Sequence, residues 1–279
     1  MSEPQVRANT RFLMRRPGLL LSAAVIVFIL LAAVAPGLFT GYDPIAGVPA
    51  EKLRGPSPAH LFGTDETGRD VFARVVHGAS LSLRATVLAV LVALIAGSAL
   101  GLLAGFRGGW LDSAIMRIVD VLQAVPAILL SLALVTALGF GTTNVAIAVG
   151  IANLASFARL MRAEVLRVRS GVFVEAARAG GVRWSGVLRR HVLPNAVGPV
   201  FVLATLTFGT AVLEVSALSF LGFGATPPAP EWGALVAGGR GFLATAWWMT
   251  TFPGFTVAAV VLATNRLSRA FDGERSELR

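Results

Sequence analysis

The sequence of 279 residues contains no cysteine and a single lysine, and each scarcity excludes a kind of chemistry. A chain without cysteine has no disulfide framework, no thiolate nucleophile and no cysteine-ligated metal. The one lysine, Lys52, lies in PAEKLRG, so the GxxxxGK[ST] phosphate loop of an ATPase is absent. The sequence therefore predicts that this chain does not hydrolyse ATP by that mechanism.

Histidine is also scarce, and no hydrolase motif is present. The three histidines are isolated from one another (His60, His77 and His191). Neither the HExxH spacing of zinc hydrolases nor the GxSxG motif of serine hydrolases occurs. One acidic cluster is open to interpretation as a metal site (Asp65, Glu66 and Asp70). Solvated acids near a helix start are more common, so we expect no metal, no bound cofactor and no catalytic residue in this chain.

Charged residues make up only 14% of the chain and hydrophobic residues 55%, with a mean hydropathy of +0.74. Soluble domains contain about 25% charged residues, so this composition predicts an integral membrane protein. The net charge of +9 lies in short segments beside apolar runs, a pattern that anchors membrane spans on the cytoplasmic side. Membrane lipid, and not nucleic acid, is therefore the expected partner of the positive charge.

Apolar stretches long enough for an α-helical span, about 20 residues, occur six times in the sequence. They lie near residues 18–38, 81–104, 116–138, 143–160, 197–221 and 246–264. The first is too long for a signal-peptide core, so we expect it to remain as a span. The sequence predicts an all-α integral membrane protein with about six transmembrane helices.

The charges between the spans predict their orientation. Four arginines and one glutamate precede the first span (Arg7, Arg11, Arg15, Arg16; Glu3). The connector 39–80 has a net charge of −1, whereas segment 159–194 has eight arginines against two glutamates, a balance of +6. Because basic residues stay in the cytoplasm, both segments independently predict an N-in, C-in topology.

The basic segment 159–194 contains the most specific local pattern. Residues 175–179 are good helix-forming sequence, and the glycine pair 180–181 supplies the left-handed residue that can end a helix. A second helix over 184–192 is predicted to stop at Pro194. We name this helix-turn-helix the elbow. We expect its apolar residues to cover the membrane domain or enter a partner groove, because they are too many to leave in water: Val172, Phe173, Val174, Val182 and Trp184.

Two further features lie inside predicted spans. Gly97, Gly101 and Gly105 recur every four residues, which places them on one helix face where another helix can approach closely. Chance is the alternative, since the chain contains 30 glycines. Glu214 is the one carboxylate well inside an apolar run, where charge is costly. It is a candidate for the translocation path or gate; the structural alternatives are a hydrogen bond to a neighbouring helix and a protonated acid near the outer rim.

The outer connector and the inner turn carry local signals. Thr67 or Gly68 is expected to cap a short helix that lies along the outer membrane surface. Its apolar face is formed by Val71, Phe72, Val75 and Val76. Trp247 and Trp248 suit the outer interfacial belt.

The segment that follows the second span has both charge and proline. Asp112 and Asp120 share a helix face with Arg117 alongside, so we expect a structural ion cluster at the membrane edge. Pro126 is expected to kink the third span, where packed neighbours can satisfy the freed carbonyl.

The elbow resembles the EAA-x3-G-x9-I-x-L-P signature of ABC importer permeases. Glu175-Ala176-Ala177 is followed by Gly181 and then by HVLP at 191–194, with histidine in place of isoleucine. Further stretches match the peptide-transport branch in order: RRP (15–17), GTDETGRDVFARVVHGASLSL (63–83), MRIVDVLQAVPAILL (116–130), LSFLGFG (218–224), PEWG (230–233) and FPG (252–254). The chain is identified as a member of the dipeptide/oligopeptide/nickel permease family, as its second, C-type subunit.

This resemblance implies a type I ABC importer permease fold in the bacterial cytoplasmic (inner) membrane. It implies an N-terminus, first helix and outer loop over 1–80, a five-helix permease core over 81–265, and a cytoplasmic tail over 266–279. A cytoplasmic coupling helix is expected in the loop 159–194. The residues implied to couple to an ATPase are Glu175, Ala176, Ala177, Arg178, Gly181, His191, Leu193 and Pro194.

The resemblance also implies partners and a function. A homologous permease would complete the path, an external substrate-binding protein would deliver peptide, and two ABC ATPase subunits would bind ATP and Mg²⁺. The alternatives are a secondary transporter driven by an ion gradient, and nickel or glutathione as cargo. The sequence does not decide the cargo or its side-chain preference.

Overall fold

The computed structural model describes residues 17–277, with side chains through residue 270. This range is mostly helical and contains no β-strand, which confirms the predicted all-α class. The helices are α1 (Pro17–Val34), α2 (Val71–Arg107), α3 (Gly109–Ala124), α4 (Ala127–Leu138), α5 (Thr142–Arg169), α6 (Val172–Ala179), α7 (Trp184–Val187), α8 (Leu193–Phe220), α9 (Trp232–Gly239) and α10 (Trp248–Glu277).

Four described helical runs are long and apolar enough to cross a membrane: α1, α2, α5 and the continuous run Trp184–Phe220. Helices α3 and α4 qualify together but bend by 97° at the break between them. The kink predicted at Pro126 is therefore a full break. The sixth predicted stretch, 246–264, falls almost entirely in α10, which is 30 residues long but too polar to qualify. The arginines at 7–16 lie outside the described residues.

The chain divides into two compact units. Among the described residues, unit one holds 17–85, 140–142 and 208–277, and unit two holds 86–139 and 143–207. Unit one has a hydrophobic core of Ile29, Ala32, Val76, Ala79, Leu83, Val212, Trp232, Val257 and Val260. Unit two has a core of Ala104, Ile115, Val119, Leu154, Ala155 and Ala158. The elbow belongs to unit two.

Helix α2 starts at Val71. A cap at Thr67 or Gly68 would have started it two or three residues earlier, so that prediction is wrong. The carboxylate of Asp70 accepts a hydrogen bond from the backbone N–H of Ala73 at 2.6 Å, so it caps the helix. Gly68 has a φ of +82° and belongs to the preceding turn. The helix then continues unbroken to Arg107. The prediction of a separate helix on the membrane surface is wrong, because the valines of its apolar face are buried in the protein.

The segment before α2, residues 39–70, is here named the outer segment. It is fastened to other parts of unit one by buried polar groups. The indole Nε1 of Trp248 donates to the carbonyl of Thr64 at 3.1 Å, and Trp248 is only 7% exposed. The predicted interfacial-belt position is therefore wrong for Trp248, because its indole found a partner inside the protein. Trp247 is half-exposed.

The predicted helix stop at Pro194 is also wrong. A π-helical turn, Leu188–Val192, follows α7 directly, and α8 begins at Leu193. The backbone N–H of Leu193 donates to the carbonyl of Leu188, one residue further back than in an α-helix. Proline lacks an N–H and its ring clashes with the carbonyl four residues earlier. The wider turn relieves that clash, so the helix passes through Pro194 without a break.

Candidate functional site

The two helices of the elbow, α6 and α7, are joined by a Schellman turn. The N–H of Gly181 donates to the carbonyl of Arg178 at 2.9 Å, and that of Val182 donates to Ala177 at 3.1 Å. Gly181 has a φ of +81°, the left-handed conformation that its sequence position predicts. A Cβ at Gly181 would meet no atom within 4 Å. Which residues can replace Gly181 is therefore limited by its backbone conformation and not by the room for a side chain.

The outward face of α6 is open and carries both charged and apolar side chains. Glu175, Ala176 and Arg178 are exposed, and Ala177 is half-buried. In the described part of the chain Glu175 forms no ion pair, because Arg178 does not turn back to it. The guanidinium of Arg178 instead lies 4.4 Å from the centre of the Trp184 ring. The face thus offers an uncompensated carboxylate at the start of a short helix.

The apolar residues of the elbow divide between the protein and solvent. Val174, Val187 and Val192 are buried, and they hold the inner side. Four other apolar side chains remain partly or largely exposed: Val172, Phe173, Val182 and Trp184. Of the five residues in the expectation, only Val174 is buried inside the protein. The exposed set fits the other expectation, a partner groove.

The rest of the signature follows along the π-turn and the start of α8. His191 is half-buried, with its ring 6.3 Å from that of Phe173. Leu193 is half-buried and Pro194 is exposed. His191 precedes α8, and Leu193 and Pro194 are its first two residues, so the signature leads from the exposed face into a helix long and apolar enough to cross the membrane.

Trp184 joins the elbow to the inner end of α2. Its ring meets Phe106 edge to face at a centroid distance of 4.5 Å. Arg169, at the end of α5, donates to the carbonyls of Gly105 and Phe106 at 3.2 and 3.0 Å. The guanidinium of Arg169 also lies 5.8 Å from the Trp184 ring. Three segments of unit two therefore meet at one aromatic side chain.

Two ion pairs join α3 to α5, the helix that leads into the elbow. Arg162 donates twice to the carboxylate of Asp112, at 2.5 and 2.7 Å. Arg159 donates to Asp120 at 2.7 Å. The predicted neutralisation of these acids by Arg117 is wrong, because α5 packs against α3 and brings its own arginines closer. Two arginines of the basic segment therefore act as structural partners as well as topology anchors.

The glycine face of α2 lies directly against α5. A Cβ at Gly97 would lie 2.5 Å from the carbonyl of Leu154, and one at Gly101 would lie 2.2 Å from that of Ala158. At Gly105 the nearest atom, the carbonyl of Arg162, would be 3.0 Å away. Real Cβ atoms essentially never approach within the first two distances. The three glycines thus let the backbones of α2 and α5 come into contact.

Two carboxylates of unit one differ in how far they are buried. Glu214, the predicted path or gate candidate, is partly buried in α8. Glu231 is fully buried, and its side chain accepts hydrogen bonds from the Ser82 hydroxyl at 3.2 Å and the Ala234 N–H at 3.0 Å. Burial raises the pKa of Glu231 above its ordinary value of 4.5. Sequence reasoning missed it, although its place just before α9 is an N-cap position.

The acidic cluster of the outer segment is an ion-pair network. The Asp65 carboxylate accepts from Thr67 and from the backbone and side chain of Arg69, the last at 2.6 Å. Burial alone raises its pKa, but the bonds from Arg69 and Thr67 outweigh this, and the pKa lies below the ordinary 3.8. Asp70 bonds to His60 at 2.9 Å. In the described part of the chain no cluster of three potential ligands could hold a metal.

Comparison with known proteins identifies the family. Residues 97–276 match the family described as "binding-protein-dependent transport system inner membrane component". The dipeptide transport system permease protein DppC of Alkalihalophilus pseudofirmus is 46% identical over 251 residues, 90% of this chain and 81% of the relative. The glutathione transport system permease protein GsiD of Escherichia coli is 42% identical over 266 residues, 95% of this chain and 87% of the relative.

Solved structures are similar in fold. A chain of the MetNI methionine ABC transporter superposes with a TM-score of 0.54 at 21% identity, over 71% of this chain and 95% of that one. A chain of an amino acid ABC transporter solved with histidines gives 0.57 at 18%, over 72% and 94%. The fold is that of a type I ABC importer permease. The chain belongs to the family of binding-protein-dependent transport system inner membrane components, among the C-type ABC importer permeases that include these DppC and GsiD relatives.

Proposed function

We propose that this chain is a transmembrane permease subunit of an ATP-driven peptide importer in a bacterial cytoplasmic membrane. With a homologous permease it forms the path for peptides that an external binding protein delivers. Two ATPase subunits bind ATP and Mg²⁺ and close beneath the pair. The chain itself holds no ATPase site and serves to convert that closure into movement of its helices.

The observation that carries this proposal is the division of the elbow into two faces. The inner face is buried, and Trp184 fixes it to Phe106 and Arg169. The outer face leaves Glu175 and the apolar side chains Val172 and Phe173 in solvent. A short helix that is held firmly on one side and unoccupied on the other suits a transmitting contact with a partner subunit.

The names of the relatives support peptide as the cargo. The relatives described above act in dipeptide and glutathione transport, and another, from Pseudomonas aeruginosa, is a di/tripeptide transport system permease. All three cargoes are short peptides. Family membership also supports a binding-protein-dependent ABC importer over a secondary transporter.

The residues proposed to contact the ATPase are those of the exposed face. Glu175 offers a carboxylate to a basic group of the partner, and Arg178 fixes the angle of α6 through its contact with Trp184. Ala176 and Ala177 keep the contact surface low. Gly181 sets the turn, while His191, Leu193 and Pro194 pass the movement on to α8.

Gly181 gives the sharpest test. Replacing a glycine of positive φ by an ordinary residue costs about 1–2 kcal/mol of backbone strain, and Gly181→Val also adds a branched side chain. In the reconstituted transporter, with partner permease, ATPases and binding protein, this variant should abolish peptide uptake and the stimulation of ATP hydrolysis by loaded binding protein. Immunoblotting of membranes checks that the complex still assembles.

The matched control is Gly181→Asn, because asparagine tolerates the left-handed conformation and no atom lies within 4 Å of the new Cβ. Uptake by this variant should stay near that of the wild type. Normal uptake by Gly181→Val would contradict the proposed role of the elbow. Uptake of nickel, but not of a dipeptide, by the wild-type complex would contradict the proposed cargo.

A further inference from the structure

A groove of about 470 Å³ opens beside the elbow within unit two. Its wall on the α2 side consists of Leu102, Leu103, Phe106 and Arg107, and its wall on the elbow side consists of Trp184 and Leu188. Arg107 is the only charged residue of this lining. In the described part of the chain, Arg107 is exposed and has no ion pair or hydrogen bond. The groove is thus apolar with one free positive charge.

The depth of the groove in the membrane follows from α2. The predicted span ends near residue 104, so Leu102 and Leu103 lie at the inner edge of the hydrocarbon layer. Arg107 lies four residues beyond Leu103, about 6 Å along a helix that rises about 1.5 Å per residue. That distance places its guanidinium among the lipid headgroups. Leu103 is 48% exposed, so its side chain is open to an acyl chain.

The charged and aromatic residues around the groove suit a lipid with an anionic headgroup. The guanidinium groups of Arg169 and Arg178 lie against the Trp184 ring, 5.8 and 4.4 Å from its centre. Neither forms an ion pair among the described residues. Both therefore contact a wall residue of the groove, and with Arg107 they make its surroundings positively charged without a paired acid. Half-exposed tryptophan is typical of the membrane interface, and basic pockets on the cytoplasmic side bind anionic headgroups.

We infer that this groove binds an anionic phospholipid, with one acyl chain against Leu103 and Phe106 and the phosphate at Arg107. A water-soluble partner is the less suitable occupant, because four of the six lining residues belong to α2, a helix long and apolar enough to cross the membrane. The bound lipid lies against Trp184, the residue that fixes the elbow to α2. The composition of the inner leaflet therefore acts on the position of the elbow.

The absence of cysteine from the chain allows a clean test. A fluorophore is attached to Leu103→Cys in the complete transporter, reconstituted with its partner subunits in nanodiscs. Quenching is compared between phosphatidylglycerol and phosphatidylcholine that carry the same brominated acyl chains at the same mole fraction. We expect stronger quenching by phosphatidylglycerol at this site. The variant Arg107→Gln should lower the preference about fivefold, as loss of one arginine contact with an anionic surface predicts.

Two controls make the result specific. Phe255→Cys, on a side chain that is 71% exposed in α10, should be quenched equally by both lipids. Arg117→Gln removes the same charge from an exposed site on α3 and should leave the preference at Leu103 unchanged. Equal quenching by the two lipids at Leu103, or an equal loss of preference in Arg117→Gln, overturns the inference. So does a Leu103 site that neither lipid quenches and that the ATPase subunits shield from a water-soluble maleimide.

Discussion

The outer segment buries several of its polar side chains, whereas the elbow leaves its carboxylate exposed. In the outer segment Asp65, Asp70 and His60 are all at most 5% exposed, and each bonds to other residues of the same unit. In the elbow Glu175 is exposed and unpaired among the described residues. A buried charge must be compensated within the fold. An exposed charge is solvated by water and remains able to pair with a partner subunit.

The same contrast holds for apolar side chains. Trp248 is buried against the outer segment and its indole bonds to Thr64. Trp184 of the elbow is 53% exposed and is held through its ring face and edge. The outer segment therefore completes its own contacts and should be rigid. The elbow is fixed on one side only, so substitutions there should affect transport more than stability.

The largest expected effect on stability is that of Asp65→Ala in the outer segment. The substitution leaves the guanidinium of Arg69 without the carboxylate that it contacts at 2.6 Å, and deprives Arg74 of its nearest acid at 3.7 Å. Breaking a buried pair typically costs about 3–5 kcal/mol. The thermal unfolding midpoint of the detergent-purified chain should fall strongly. Asp43→Ala, in which an exposed acid is lost, is the control, and equal falls would contradict the comparison.

The next largest effect is expected from Gly101→Ala, which tests the packing of α2 against α5, the helix that leads into the elbow. The new methyl group would lie 2.2 Å from the carbonyl of Ala158 and 2.9 Å from the Cβ of Met161. Overpacking of this kind costs about 1–3 kcal/mol. The same change at Gly238, a helical glycine with no atom within 4 Å of a new Cβ, should leave the unfolding midpoint unchanged or raised. A tolerated Gly101→Ala would show that α2 and α5 do not pack closely.

A smaller, pH-dependent effect is expected from Glu231→Gln. Because the pKa of folded Glu231 is raised above 4.5, its contribution to stability is complete below pH 4.5 and is lost as pH rises through the folded value. Glutamine does not ionise, so the variant should match the wild type at pH 4 and exceed its unfolding midpoint at pH 8. Asp65→Asn should behave oppositely, since the lowered pKa of Asp65 favours the wild type above pH 3.8. Parallel pH profiles of wild type and Glu231→Gln would refute this.

The smallest effect on stability is that of Glu175→Gln in the elbow. The side chain is exposed and unpaired among the described residues, so the free energy of unfolding should change by no more than about 0.5 kcal/mol. Uptake in the reconstituted transporter should nevertheless fall, because the proposed contact with the ATPase loses its charge. Glu164→Gln, whose acid pairs with Arg167 at 2.6 Å on the same segment, should leave uptake largely intact.

Features set by local physics could be predicted from the sequence. The apolar stretches locate the long helices because a membrane span needs continuous apolar residues. Gly181 and Pro126 mark the elbow turn and the break between α3 and α4 because their backbone preferences act within a few residues. The start of α2 was misplaced because Thr67, Gly68 and Asp70 are all plausible caps, and only tertiary contacts select Asp70.

Features set by tertiary contacts could not. Arg162 and Asp112 are 50 residues apart, and Arg159 and Asp120 are 39 apart. Arg117 was the nearer partner along the chain, yet packing of α5 against α3 decided the pairing. Likewise, Glu231 was hidden because a loop carboxylate gives no sign of its burial. In the elbow the sequence located the residues, while the division into a fixed and an open face needed coordinates.

The π-helical turn at Leu188–Val192 gives the elbow a defined phase relative to α8. Such a turn holds one residue more than the α-helical path would need. Deleting any one of its residues would let the run from Trp184 continue as a regular α-helix and would rotate α7 by about 100° around the axis, since a helix has about 3.6 residues per turn. Trp184 would then face away from Phe106. A length change of one residue in this segment is therefore a change of direction, which makes the segment intolerant of insertions and deletions even where it tolerates substitutions.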